Sequence, residues 1–142
     1  TSGGTHAGLL AATRFAHAGI PVVGISAGPP AETVARRVSA IVRELADLLR
    51  ADLAVQGEDV VVHDAYVGEG YGLPTPATVE AIKLVARTEG VLLDPVYTGK
   101  GMAGLIDLVR RGSFTRGQTV LFWHTGGQPA LFAHAARLAA PD

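Results

Sequence analysis

Three short clusters in this sequence combine glycine with hydroxyl groups where a loop meets a helix or a strand. The first is Thr1-Ser2-Gly3-Gly4-Thr5-His6-Ala7-Gly8, running into an Ala/Leu-rich helix that begins near Thr5. Adjacent glycines let the backbone turn tightly and aim its N–H groups inward. The helix adds the positive end of its dipole, and Ser2 and Thr5 add hydroxyl donors, a combination that suits a phosphate. The same residues also describe an ordinary turn, and they depart from the GxxxxGK[ST] pattern of nucleotide triphosphatases. The second cluster is Asp94-Pro95-Val96-Tyr97-Thr98-Gly99-Lys100-Gly101, after an apolar run and before a helix. Open parallel sheets bind ligands beyond the carboxyl ends of their strands, where Tyr97 and Thr98 fall. A strand-to-helix turn with a half-buried tyrosine is the plain alternative. The third, His124-Thr125-Gly126-Gly127, offers either a hydroxyl and close backbone to the same crevice or simply a turn.

The elements that must position these clusters alternate in type. Val22-Val23-Gly24-Ile25, Val60-Val61-Val62, Val91-Leu92-Leu93 and Val120-Leu121-Phe122-Trp123 are near-continuous apolar runs. Strands buried on both faces read this way. Between them, Val34, Val38, Ile41, Val42, Leu45 and Leu49 form one helical stripe, and Met102, Leu105, Ile106 and Val109 another. Thr75-Pro76 offers an N-cap with proline at the first helical position, and Gly90 and Gly112 follow last turns. Strands alternating with helices predict an α/β fold, a parallel sheet with flanking helices, over a single domain 1–142. Residues 64–75 break the rhythm with three glycines, two tyrosines and a proline, the pattern of a functional loop.

Bulk composition narrows the class. A chain of 142 residues, 48% hydrophobic and 18% charged, is long and apolar enough for a folded core. A net charge of −1 gives no reason to expect nucleic acid or an acidic membrane surface as partner. With no cysteine, thiolate metal sites are excluded, and the five histidines show no metal-ligand spacing. No apolar run approaches the ~18–20 residues that span a bilayer, and a cytoplasmic location is the expectation.

The loop Ser2-Gly3-Gly4-Thr5-His6-Ala7-Gly8, the stretch Gly70-Tyr71-Gly72-Leu73-Pro74 and the run from Glu89 to Lys100 together resemble the D-cysteine desulfhydrases. So do Gly104-Leu105-Ile106-Asp107 and the run from His124 to Phe132. The motifs follow the order and spacing of that family along the whole chain. The wider group includes the 1-aminocyclopropane-1-carboxylate deaminases and shares the tryptophan-synthase-β-like fold, fold type II of the pyridoxal-phosphate enzymes. The resemblance implies pyridoxal 5'-phosphate as cofactor. By it, Ser2, Gly3, Gly4 and Thr5 hold the cofactor phosphate, Thr98 and Thr125 lie beside the pyridine ring, and Gly126 is a further cofactor-binding residue. Tyr71 and Tyr97 are catalytic tyrosines set against cofactor and substrate. The three regions are expected to line one crevice. The resemblance further implies a homodimer and a small amino-acid substrate.

The cyclopropane deaminases characteristically carry glutamate where Thr98 stands and leucine where Thr125 stands. A carboxylate at the ring nitrogen favours its protonated, more electron-withdrawing form, whereas a hydroxyl suffices for a substrate with a good leaving group. The threonine pair therefore points to β-elimination, converting D-cysteine to pyruvate, sulfide and ammonia. Cyclopropane-carboxylate deamination, cysteate sulfo-lyase action and a non-catalytic truncated module are the alternatives. The family's imine-forming lysine lies in an earlier segment than any in this chain. Lys83 falls mid-helix, and Lys100 belongs to the Tyr97 motif without being that lysine. The chain reads as the C-terminal cofactor-binding part of a longer enzyme, expected to have little or no lyase activity alone.

Overall fold

The computed structural model describes residues 2–139, so Thr1 of the glycine-rich opening lies outside the described residues. The fold is α/β, with a parallel strand pair and flanking helices. The chain divides into two compact units, Thr1–Asp64 and Ala65–Asp142.

In the first unit, helix α1 (Gly4–Phe15) leads to strand β1 (Val23–Ile25) and helix α2 (Ala31–Leu49). A 3-10 turn (Gly57–Asp59) then precedes strand β2 (Val61–His63). The strands pair in parallel, with Val23 opposite Val61 and Ile25 opposite His63. The predicted stripe of α2 faces the core: Val34, Val38 and Val42 are buried, while Leu49 at its end is exposed. They pack with Ala7, Leu10 and Ala11 of α1 and with Leu53 and Val60. Burying a valine such as Val38 contributes about 1.5–3 kcal/mol. Pro30 stands at the N-cap of α2 without a capping side chain. Asp64, just beyond β2, supplies the acceptor instead, taking the Ala31 N–H at 2.8 Å. A carboxylate there also favours the helix dipole.

In the second unit, helices α3 (Pro76–Glu89) and α4 (Thr98–Arg110) pack on each other, and two short helices follow, α5 (Ala130–Ala133) and α6 (Ala135–Ala139). Helix α3 has the expected ends. The Thr75 hydroxyl accepts the Thr78 N–H at 3.1 Å, Pro76 stands at N1, and Gly90 closes the helix in the left-handed conformation. Helix α4 differs from expectation. Its buried face is Thr98, Gly99, Lys100, Ala103 and Gly104, and the Met102, Leu105, Ile106 and Val109 stripe is half-buried or exposed. Small residues let α3 approach, so close that a Cβ on Gly99 would meet Ile82 Cγ1 at 3.0 Å.

Two expected strands are corrected. Val91–Leu93 and Val120–Trp123 join no ladder among the described residues. Leu93 is buried, but Leu92, Leu121 and Trp123 are exposed, so these runs are not covered on both faces. Apolar run length signals burial, whereas a strand also needs a hydrogen-bonded neighbour.

Candidate active site

The glycine turn of the first unit is built as an open helix N-terminus. Gly3 is the N-cap of α1 at φ 87°, a left-handed conformation that favours glycine, and a Cβ there would press Val38 Cγ2 at 3.0 Å. The first helical rung is Ala7 N–H to Gly3 O at 2.8 Å, so the N–H groups of Gly4, Thr5 and His6 precede the ladder. Ser2 Oγ accepts from Gly4 N at 3.5 Å. Ser2, Gly4 and Thr5 are exposed, and no acidic residue stands in the first turn. His6 turns the other way, its ring against Gly24 of β1. Burial lowers its pKa, opposed by a hydrogen bond with the Val22 backbone, and its buried Nε2 has no hydrogen-bond partner among the described residues.

In the second unit the motif around Tyr97 is organised by a buried carboxylate. Asp94 is fully buried. Its Oδ2 accepts the N–H groups of Val96 and Tyr97 at 2.7 and 2.8 Å. Its Oδ1 accepts the Thr98 N–H at 2.6 Å and the Thr98 hydroxyl at 2.7 Å. The Thr98 oxygen in turn accepts the Asp94 N–H at 2.8 Å. Orphan donors at the start of α4 are thus met by a side chain outside the helix. Gly127 closes over the same carboxylate: at φ 98°, a Cβ on it would lie 2.7 Å from Asp94 Cγ. The Asp94 turn and the His124–Gly127 turn are therefore neighbours. His124 Nδ1 accepts the Gly126 N–H at 3.0 Å, and its Nε2 lies 3.2 Å from Leu92 O. Thr125 is exposed.

Tyr71 and Tyr97 are also brought together. Their hydroxyls are hydrogen-bonded, and their rings meet edge to face with centroids 5.8 Å apart. The bond to Tyr97, then desolvation and the neighbouring negative charges, raise the Tyr71 pKa. The loop carrying Tyr71 is tied to α4. Tyr66 donates to Asp107 Oδ2 at 2.6 Å, which holds the Asp107 carboxyl below its usual range, and Lys100 Nζ donates to Val67 O and Gly70 O at 2.7 and 2.8 Å. Burial pushes the Lys100 ammonium below the ordinary lysine range.

A family model described as "Pyridoxal-phosphate dependent enzyme" matches residues 1–126. This chain belongs to that family. The residues present fit its cofactor. A phosphate dianion calls for N–H and O–H donors with no competing carboxylate, as the first turn of α1 provides. Among relatives, the 1-aminocyclopropane-1-carboxylate deaminase of Burkholderia vietnamiensis (strain G4 / LMG 22486) is 44% identical over 134 residues, covering 94% of this chain and 40% of that protein. The deaminase of Pseudomonas syringae pv. syringae (strain B728a) is likewise 44% identical over 134 residues, with the same coverage. A solved structure described as "the ACC deaminase homologue" superposes with a TM-score of 0.87 at 36% identity, covering 97% of this chain and 41% of that one. The chain thus spans about 40% of the length of the relatives it matches.

Sequence reasoning missed two residues at the heart of this arrangement. Asp94 was legible as part of a motif, but not as the acceptor for a whole turn. The signal was available: an aspartate two to four residues before backbone N–H groups at a helix start. The role of Lys100 left no local signal, since its partners lie 33 and 30 residues earlier.

Proposed function

We propose that this chain supplies phosphate-binding and substrate-facing residues of a pyridoxal-phosphate-dependent lyase acting by β-elimination on a small thiol amino acid, D-cysteine by preference. One observation carries the preference: position 98 holds a hydroxyl, engaged with Asp94, and position 125 holds a second, exposed one. When bound, pyridoxal phosphate supplies the electron sink that accepts the pair left at the substrate α-carbon. The glycine turn gives its N–H groups and the Ser2 and Thr5 hydroxyls to the phosphate. Thr98 spends its donor hydrogen on Asp94, which leaves Thr125 as the hydroxyl for the ring nitrogen. A hydroxyl there holds the ring nitrogen protonated less strongly than a carboxylate would, leaving a weaker electron sink, enough where sulfide departs readily. Tyr71 and Tyr97, sharing a hydrogen bond, orient the substrate and carry a proton between their hydroxyl oxygens. Lys100 is not proposed to form the imine, because its Nζ is committed to two carbonyls.

The second reading is 1-aminocyclopropane-1-carboxylate deamination, favoured by the names of the relatives at 44% identity. Sulfide release from D-cysteine, sulfite release from cysteate and ammonia release from 1-aminocyclopropane-1-carboxylate, all measured on the full-length protein, separate the readings. A kcat/KM for D-cysteine at least about tenfold above the others supports the proposal. Preference for the cyclopropane substrate overturns it. We also propose that residues 1–142 alone are inactive. Borohydride trapping of cofactor on Lys83 or Lys100 would contradict this. The full-length enzyme is proposed to be a cytoplasmic homodimer, testable by light scattering and cell fractionation.

A further inference from the structure

We propose that Lys100 is a positioning residue, whose buried ammonium clasps the loop carrying Tyr71 to helix α4 so that Tyr71 meets Tyr97. The inference rests on the reading of these tyrosines as substrate-facing groups. Lys100 has no exposed surface, and its Nζ donates to Val67 O at 2.7 Å and Gly70 O at 2.8 Å. Gly70 directly precedes Tyr71. Tyr97 is the N-cap of α4, one turn before Lys100, and its carbonyl accepts the Gly101 N–H at 2.9 Å. The clasp therefore joins the backbone beside one tyrosine to the helical turn that begins at the other. Tyr66 to Asp107 ties the start of the same loop about two turns further along α4.

Stability alone does not account for a lysine here. Among the described residues, backbone carbonyls and no carboxylate accept from Nζ. Burying an ammonium against neutral dipoles costs more than burying a methionine of similar volume. A methionine, however, would leave two carbonyls unpaired and the loop free to choose another path. The irregular stretch from Ala65 to Thr75 has no ladder of its own, so its path depends on such ties. What the lysine adds is a fixed place for the Tyr71 hydroxyl.

The test uses full-length protein, with and without pyridoxal phosphate, carrying Lys100→Met, Tyr71→Phe or both. We expect Lys100→Met to lower kcat by at least about tenfold while KM moves less than about threefold. In the Tyr71→Phe background, Lys100→Met should cost less than about twofold more, because the hydroxyl being positioned is already gone. Amide exchange across residues 66–73 should quicken by about tenfold in both the loaded and the cofactor-free protein, with α3 unchanged. Unchanged loop exchange, or a full multiplicative loss in the double variant, overturns the proposal. Should Lys100→Met not fold, acylation of folded wild-type protein decides the matter: Lys100 should react at least about tenfold more slowly than Lys83, and equal rates overturn the clasp. A wild-type protein inert toward every substrate tested defeats the proposed function, while exchange and acylation still decide for or against Lys100.

Discussion

Replacing Thr98 by valine tests whether the turn before α4 is held by the carboxylate that geometry assigns to it. Valine keeps the branched shape of threonine and puts a methyl in place of the hydroxyl. That hydroxyl donates to Asp94 Oδ1 at 2.7 Å and accepts the Asp94 N–H at 2.8 Å, in a side chain 5% exposed. A hydrogen bond to a charged group contributes about 1.5–3 kcal/mol net, and a buried N–H left unpaired costs about 1–3 kcal/mol. Two things reduce the sum. Asp94 Oδ1 keeps the Thr98 N–H at 2.6 Å, and the added methyl returns about 0.8 kcal/mol of burial. The expected destabilisation is about 2–4 kcal/mol, a large share of the ~5–15 kcal/mol that holds a folded protein. Urea unfolding of the cofactor-free full-length protein measures it, so that cofactor affinity does not enter. Thr98→Ser keeps the hydroxyl and should stay within about 1 kcal/mol of wild type. A Thr98→Val loss under about 0.5 kcal/mol at unchanged slope would refute the reasoning, because the hydroxyl would then be paired as well in the unfolded chain as in the folded one.

Three further outcomes are expected. Thr125→Leu, which removes the hydroxyl assigned to the ring nitrogen, should depress sulfide release from D-cysteine by about tenfold relative to ammonia release from 1-aminocyclopropane-1-carboxylate, and an unchanged ratio counts against position 125 as a determinant of substrate choice. Gly127→Ala should destabilise by at least about 1–3 kcal/mol, since φ is 98° and the new Cβ would stand 2.7 Å from Asp94 Cγ; a neutral effect in thermal unfolding would show that the turn does not close over the carboxylate. His6 has a folded pKa below its unfolded one, chiefly through burial. As pH falls, the unfolded chain therefore takes up the proton first, so stability should be level above about pH 6.5 and decline from there toward the depressed folded value. His6→Gln should flatten that decline in urea midpoints taken across the range, and an unaltered slope would assign it to other groups.

Helix α3 was legible at both ends because its end signals are local. Thr75-Pro76 marks its start and Gly90 its end, and each works through neighbours within one turn. Helix α4 was legible in its body and its C-terminus, where Gly112 and Ser113 donate back to Val109 and Leu108 at 3.0 and 2.9 Å. Its start was not. Periodicity places the first apolar position at Met102, whereas the helix begins at Thr98, because Asp94 accepts the N–H groups that would otherwise fray. Its buried face was misread for a related reason. Gly99, Ala103 and Gly104 are buried because they are small enough for α3 to approach, and hydrophobic period ranks them below Met102 and Val109. The site residues were named from motif order, and the structure joins Tyr71 with Tyr97 and the Asp94 turn with Gly127. No sequence pattern carries the Lys100 clasp, since its carbonyl partners lie 33 and 30 residues earlier.

The polar groups that this fold buries around α4 share one property. Asp94, Thr98 and Lys100 are each nearly or fully inaccessible, and each spends its hydrogen bonds on backbone or on one another. Apolar residues of equal size would avoid the desolvation cost, so these groups are better understood as fixing conformation than as adding stability. What they fix is specific. Asp94 sets the course of the backbone into Tyr97, Gly127 brings the Thr125 turn against the same carboxylate, and Lys100 sets the loop into Tyr71. A tyrosine pair on an irregular loop and a helix cap would otherwise sample many geometries. Rigid anchoring narrows them to one, at a cost in desolvation that the proposed proton-moving role of the pair would justify.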